Sequence, residues 1–91
     1  MDFEWDPDKA AYNLAKHGVS FEEASDVFYD ELSVTYDDPD HSDEEERFII
    51  IGMSLEGRIL IVSHTDRGDR IRLISARPVS RQERRLYETG R

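Results

Sequence analysis

Ninety-one residues without a cysteine make one small domain (1–91) and exclude a disulfide framework, a Cys-based metal site and a thiol nucleophile. A net charge of -9 opposes non-specific nucleic-acid binding, which comes mostly from phosphate neutralisation. The longest apolar runs, FIII and ILIV, cannot cross a bilayer, and the acidic start MDFEWDPDK lacks a secretion pattern; a soluble, cytoplasmic protein without a membrane partner is expected.

In chain order, Phe3-Glu4-Trp5 alternates apolar with polar and predicts a short strand. Asp6 suits an N-cap and Pro7 the first helical position, so a helix runs through KAAYNLAKH. Gly18 stops it, with Lys16 and His17 in the last turn, where cations favour the helix dipole. Ser20 and Glu23 predict a capping box opening a second helix, with Phe21, Ala24, Val27 and Phe28 on one face. LSVTY (32–36) reads as a strand, and DDPDHSDEEE (37–46) as a turn followed by a solvated acidic loop.

Three strands follow, RFIIIGMS, RILIVSHT and RIRLISAR, antiparallel and joined by turns at Gly57 and Gly68. Pro78 ends the last, and Ser80 with Glu83 caps a closing helix, RQERRLYE. The fold class is α+β: an antiparallel β-sheet with an N-terminal helical hairpin and a C-terminal helix, in the order β-α-α-β-β-β-β-α.

Charge is divided along the chain. Residues 1–46 carry two lysines against sixteen acids, a net of -14, and residues 47–91 carry ten arginines against five acids, a net of +5. Seven of those arginines fall within 67–85. A turn centred on Arg67-Gly68 would set Ser63 opposite Arg72, Thr65 opposite Arg70 and His64 opposite Ile71. Strand alternation then puts Ile49, Ile51, Met53, Leu60, Val62, His64, Ile71, Leu73, Ser75 and Arg77 on one face. Phe48, Ile50, Gly52, Ile59, Ile61, Ser63, Thr65, Arg70, Arg72, Ile74 and Ala76 fall on the other. Arginines beside hydroxyls form a floor suited to an anion, because guanidinium forks match phosphate bidentately and keep their charge. The plain alternative is pairing with the abundant acids, such as Arg84 with Glu88 at i, i+4.

Other features carry less. The acidic run lacks the spacing of a calcium loop. Asp40, His41 and Asp43 could hold an adventitious metal, and no specific metal site or cofactor is expected. Arg67-Gly68-Asp69 has the chemistry of a tight turn. His64 stands among apolar neighbours and reads equally as a core histidine or a catalytic one. No Gly-rich phosphate loop, Ser-His-Asp order or H-E-x-x-H is present.

The stretches FEWDPDKAAYNLAKHGVSFEEASDVF and EERFIIIGMSLEGRILIVSHTDRGDRIRLISARPVSRQERRLYE closely resemble the BrnT family of bacterial toxin components. The likeness spans residues 3–88, and its markers are the F-x-W-D…K-H-G-V-S-F opening and the close Arg72-Leu73-Ile74-Ser75-Ala76-Arg77. It implies a RelE-like fold and a toxin of a type II toxin-antitoxin system that cleaves RNA and inhibits translation. The implied partner is a BrnA-type ribbon-helix-helix antitoxin, through which alone the toxin meets operator DNA. Lys16 and His17 occupy the family's K-H-G, His64 and Arg67 its H-T-x-R, and Arg72 and Arg77 its final strand. Arg81, Glu83, Arg84 and Tyr87 fall on the closing helix. The chain departs from RelE-like nucleases, which are usually basic, in its acidic charge, and Pro78 stands where a polar residue is expected.

The expected chemistry is metal-independent endoribonuclease action, with His64 the first candidate for proton transfer near neutral pH. Glu46 or Lys16 could replace it, and sequence does not rank them. Arg67, Arg72 and Arg77 are candidates for phosphate binding and charge stabilisation; Arg70, Arg81, Arg84 and His17 are candidates for RNA binding. The alternative is a non-enzymatic interaction protein whose arginine-rich surface docks a partner and acts by sequestration. A DNA-binding module is opposed by the net charge and the lack of a recognition helix.

Overall fold

The computed structural model describes residues 1–38 and 46–90. The elements are β1 (Asp2–Glu4), α1 (Pro7–His17), α2 (Phe21–Ser25), a 3-10 turn (Asp26–Tyr29), β2 (Val34–Asp37), β3 (Arg47–Met53), β4 (Ile59–Arg67), β5 (Arg70–Pro78) and α3 (Arg81–Thr89). Most of the acidic loop, including Asp40, His41 and Asp43, lies outside the described residues.

Local signals set the helices. The Asp6 carboxylate accepts from the Asp8 amide at 3.0 Å, Pro7 opens α1, and Gly18 closes it in the left-handed region (φ 69°). α3 has the full capping box: the Ser80 hydroxyl accepts from the Glu83 amide, and the Glu83 carboxylate accepts from the Ser80 amide at 2.8 Å. α2 has only half of its expected box. Ser20 accepts from Glu23, but the Glu23 carboxylate takes the Arg58 guanidinium and the Ser54 hydroxyl instead. Glu23 is buried, and a buried carboxylate needs a cation more than it needs one amide. Beyond Ser25 the predicted helix tightens into the 3-10 turn, which still buries Val27.

The sheet runs β1-β5-β4-β3-β2. β2 to β5 are antiparallel as expected; β1 adds to β5 in parallel, Phe3 opposite Ile71 and Glu4 opposite Arg72, so the sheet as a whole is mixed. The β4–β5 turn is Gly68-Asp69, one residue later than expected, because Gly68 supplies the positive φ (62°) that a two-residue hairpin needs. Thr65 therefore faces Arg72, and Arg67 faces Arg70. Each partner moves by two residues, which leaves the facing of that hairpin end unchanged.

Two differences do change the faces. β5 carries a bulge: His64 pairs Leu73 while Ser63 pairs Ser75, leaving Ile74 as the extra residue. Beyond it Ala76 joins the face of Leu73, and Ser75 and Arg77 join the face of Arg72. In β3, Phe48 pairs His64 and Ile50 pairs Val62, so Phe48, Ile50 and Gly52 share the His64 face and Ile49 and Ile51 lie on the other, opposite to expectation.

The core lies between the His64 face and the α1–α2 layer. Val19, Phe21, Ala24 and Val27 pack on Ile50, Leu60, Val62, Leu73 and Ala76, with Phe3, Trp5 and Phe28 around them. Gly52 lets the 3-10 turn approach: a Cβ there would sit 3.0 Å from Val27 Cβ and from its carbonyl oxygen. Asn13, buried on α1, donates to the Val19 and Ala76 carbonyls (2.9 and 2.8 Å) and accepts from the Ala76 amide (3.0 Å). A side-chain amide thus does what a neighbouring strand would do for β5 beyond the short reach of β1.

Candidate nucleic-acid interface

The other face of the sheet gathers the arginines. Cross-strand partners share a face, so the register arranges it in rows. One row runs Glu4, Arg72, Thr65, Arg47; the next runs Ser75, Ser63, Ile49, Tyr36; a third runs Arg77, Ile61, Ile51, Val34. Arg67 and Arg70 close the hairpin end. A row with hydroxyls from Ser63, Ser75 and Tyr36 thus lies between Arg72 and Arg47 on one side and Arg77 on the other, with buried Thr65 inside the Arg72–Arg47 row. The four residues expected together, Ser63, Thr65, Arg70 and Arg72, are together, and the bulge adds Arg77.

The arginines are held by carboxylates. Arg72 donates to Glu4 at 2.8 Å, and Arg70 approaches the same carboxylate at 3.8 Å. Arg77 grips Glu83 of α3 with two bonds of 2.8 Å. That fork holds the Glu83 carboxyl down at about 2, helped by the Ser80 amide, while Glu83 raises Arg77. Arg84 pairs with Glu88 at 3.3 Å, as its spacing suggested. These are exchangeable contacts on a partly exposed surface, the arrangement in which a phosphate can take the place of a carboxylate. The Tyr36 hydroxyl and the Arg47 Nε are buried without a hydrogen-bond partner among the described residues, both on this face.

α3 covers one end of the face. None of its residues is buried; it runs beside β3, where Ile51 is buried, as is Ile59 at the start of β4. Besides Arg77–Glu83, its hold is the Tyr87 hydroxyl, which donates to Asp30 at 2.7 Å. Burial and the Asp30 charge push the Tyr87 phenol up to about 12. Burial also pushes Asp30 upward, but the bonds from Tyr87 and from the Met53 and Leu32 amides outweigh it and leave its carboxyl below the ordinary range.

The remaining candidates lie elsewhere. His64 is on the covered face and 6% exposed, its ring edge-on to Phe28 (4.8 Å between centroids) and tilted against Phe48 (5.8 Å). Neither of its nitrogens has a partner among the described residues, and burial pulls it down to about 4, so it is neutral near pH 7. The sheet separates it from Arg72 and Arg77. Lys16 and His17 end α1 near the Arg58 end of the sheet, where Arg58 donates to the Gly18 carbonyl at 2.9 Å, far from the Thr65–Arg72 row. Glu46 directly precedes Arg47, and its backbone carbonyl accepts from the Thr65 hydroxyl, which places its backbone, though not its carboxylate, at that end of the arginine face. Arg81 and Arg84 are exposed on α3, outside the hydroxyl row. Arg47, Ser75 and Tyr36 were not singled out from sequence; the alternation Arg47, Ile49, Ile51 was the available signal for the first.

A cleft of about 540 Å³ at the β1 edge is lined by Met1, Asp2, Phe3, Trp5, Glu22, Ser25 and Arg70. Of the face's arginines it includes only Arg70, and its acids make it a poor phosphate site. Among the described residues no cluster of His, Asp or Glu suits a metal ion, and no helix is long and apolar enough to cross a membrane.

Comparison with known proteins agrees with this architecture. The family model described as ribonuclease toxin, BrnT, of type II toxin-antitoxin system matches residues 5–83. The crystal structure of the Brucella abortus ribonuclease toxin BrnT superimposes with a TM-score of 0.68 at 24% identity, covering 89% of this chain and 99% of that one. No curated protein matches the sequence.

Proposed function

Because the chain belongs to the BrnT family of ribonuclease toxins of type II toxin-antitoxin systems, we propose that its arginine-lined sheet face binds and cleaves RNA without a metal ion. The observation that carries this reading is the β5 bulge, which brings Arg77 to the same face as Arg72, with Ser63 and Ser75 in the row between them. Arg72 and Arg77 bind adjacent backbone phosphates by displacing Glu4 and Glu83, and Arg47, Arg67 and Arg70 extend the electrostatic track. The half-buried Ser63 and Ser75 hydroxyls donate to phosphate and ribose oxygens, contacts that are indifferent to base sequence.

Cleavage follows from that placement. The ribose 2′-oxygen attacks the adjacent phosphorus, its proton passes to a base, and the 5′-oxygen leaves with a proton from an acid. Guanidinium groups hold the charge that builds on the phosphoryl oxygens. Of the proton-transfer candidates, Glu46 is the one whose backbone lies at the Thr65–Arg47 end of the face, and it takes the role of base here. His64, neutral and behind the sheet, contributes packing. Loss of translated RNA makes the chain an inhibitor of translation in the cytoplasm, neutralised by a BrnA-type ribbon-helix-helix antitoxin that also carries the pair to operator DNA.

The test uses partner-free protein, RNA and a chelator. Discrete fragments ending in 2′,3′-cyclic phosphate are expected, and they should vanish in Glu46→Gln. Intact RNA under these conditions, with RNA still bound, would leave docking and sequestration as the function of the face. Cleavage that needs an added divalent ion would overturn the metal-free step.

A further inference from the structure

The end of the sheet away from Arg72 presents a different surface. Leu32 is 70% exposed, Met53 40% and Leu55 90%. Isolated exposed apolar residues are unremarkable on a small protein, but these are held together. The Asp30 carboxylate accepts from the Leu32 amide at 3.0 Å with one oxygen and from the Met53 amide at 2.8 Å with the other. Asp26, one helical turn earlier, accepts from the Leu55 amide at 3.0 Å. Asp26 on the 3-10 turn and Asp30 just after it therefore fasten the chain before β2 and the β3–β4 turn. The β3–β4 turn is further tied by Ser54, whose hydroxyl donates to buried Glu23 at 2.8 Å. Tyr87 brings α3 to the same Asp30, with Leu86, 40% exposed, beside it in the chain.

Apolar side chains on a fixed backbone are ready for docking, because little ordering is left to oppose association. Their surroundings are acidic on balance: Asp26, Asp30, Glu31 and Glu56 supply four negative charges, the exposed Glu31 and Glu56 form the rim, and the one cation of the β3–β4 connection, Arg58, is engaged by buried Glu23. That charge opposes RNA. It also opposes a second copy of the chain, since a two-fold contact would set each acid rim against its own counterpart.

We propose that this surface, Leu32, Met53 and Leu55 within an acidic rim, is where the antitoxin docks, through a segment with apolar anchors flanked by lysine or arginine. The proposal rests on the reading that the chain has a ribbon-helix-helix antitoxin partner. It places that partner at the opposite end of the sheet from the Thr65–Arg72 row.

The experiment titrates the ribbon-helix-helix protein encoded beside this chain's gene against the purified full chain, by calorimetry, independently of RNA cleavage. The double variant Leu32→Glu with Leu55→Glu should bind at least about 100-fold more weakly, the effect of removing two central anchors. Its melting temperature should match wild type, because both side chains are solvent-exposed. Tyr12→Glu, an exposed apolar position on α1, should bind as wild type does. Glu31→Lys with Glu56→Lys should weaken binding roughly 10-fold, mainly through slower association. Wild-type affinity in the folded double leucine variant overturns the docking assignment while leaving the nuclease reading untouched. A wild-type dimer that the leucine variant dissociates, with unchanged affinity for the ribbon-helix-helix protein, overturns it in favour of a self-interface. Failure of the wild type to bind removes both the partner reading and this inference.

Discussion

The two faces of the sheet take the same kinds of residue to opposite ends. On the covered face a histidine sits between two phenylalanines, without partners among the described residues, and burial strips it of its proton. On the other face arginines line a partly wet surface, with Arg72 paired to Glu4 and Arg77 to Glu83. A titratable residue therefore becomes a packing element or a chemical one according to which side of one strand it leaves. In this chain a single extra residue in β5 decides the matter for Arg77.

The largest break in that contrast comes from the covered face. Phe21→Ala should lower stability by about 3–5 kcal/mol, since Phe21 is 1% exposed within the core. Chemical denaturation would measure it, and a loss below about 1 kcal/mol would show that the layer is looser than its packing implies. On the arginine face the cost should fall on activity. Arg72→Ala and Arg77→Ala should each reduce RNA cleavage about 100- to 1,000-fold, with the fold retained by circular dichroism. Full cleavage, or full growth arrest in cells, by both variants would remove them from the mechanism.

Acid should distinguish the faces as well. His64 has a folded value near 4 against an ordinary 6.5, so the unfolded chain takes up its proton first. Its contribution is complete above pH 6.5 and is lost as pH falls towards 4. Glu83, held at about 2 against an ordinary 4.5, contributes fully above 4.5 and loses its part as pH falls towards 2. His64→Phe should therefore flatten the stability profile between pH 6.5 and 4, with cleavage retained at neutral pH. Loss of cleavage in a folded His64→Phe protein would return the histidine to the chemistry. The smallest effect is expected at Arg84, an exposed pair on α3: Arg84→Ala should change stability by less than about 0.5 kcal/mol.

What the sequence disclosed was mostly local. Asp6 with Pro7, Gly18, Ser20 and the Ser80–Glu83 box mark helix ends because their bonds close within a few residues. The element order, the α+β class and the family likeness follow from such signals and from the paired opening and closing motifs. The faces were harder. Ser63, Thr65, Arg70 and Arg72 were grouped correctly because their hairpin has a two-residue turn. Ile49 and Ile51 were assigned to the wrong side because the longer β3–β4 connection leaves the register open by one. The bulge at Ile74 has no local signature, and it moved Ser75, Ala76 and Arg77 together. The parallel partnership of β1 with β5 is a contact across 68 positions for Glu4 and Arg72, which neither residue announces.

Asn13 has a consequence beyond fastening α1. An edge strand offers unpaired amides and carbonyls to any passing chain, and β5 would be such an edge beyond the three residues that β1 covers. The Asn13 carboxamide answers both polar groups of Ala76, in the donor and acceptor pattern of a strand, on a side chain that cannot propagate a ladder. That stretch of β5 is thereby closed to the strand-to-strand association through which copies held at high local concentration would aggregate.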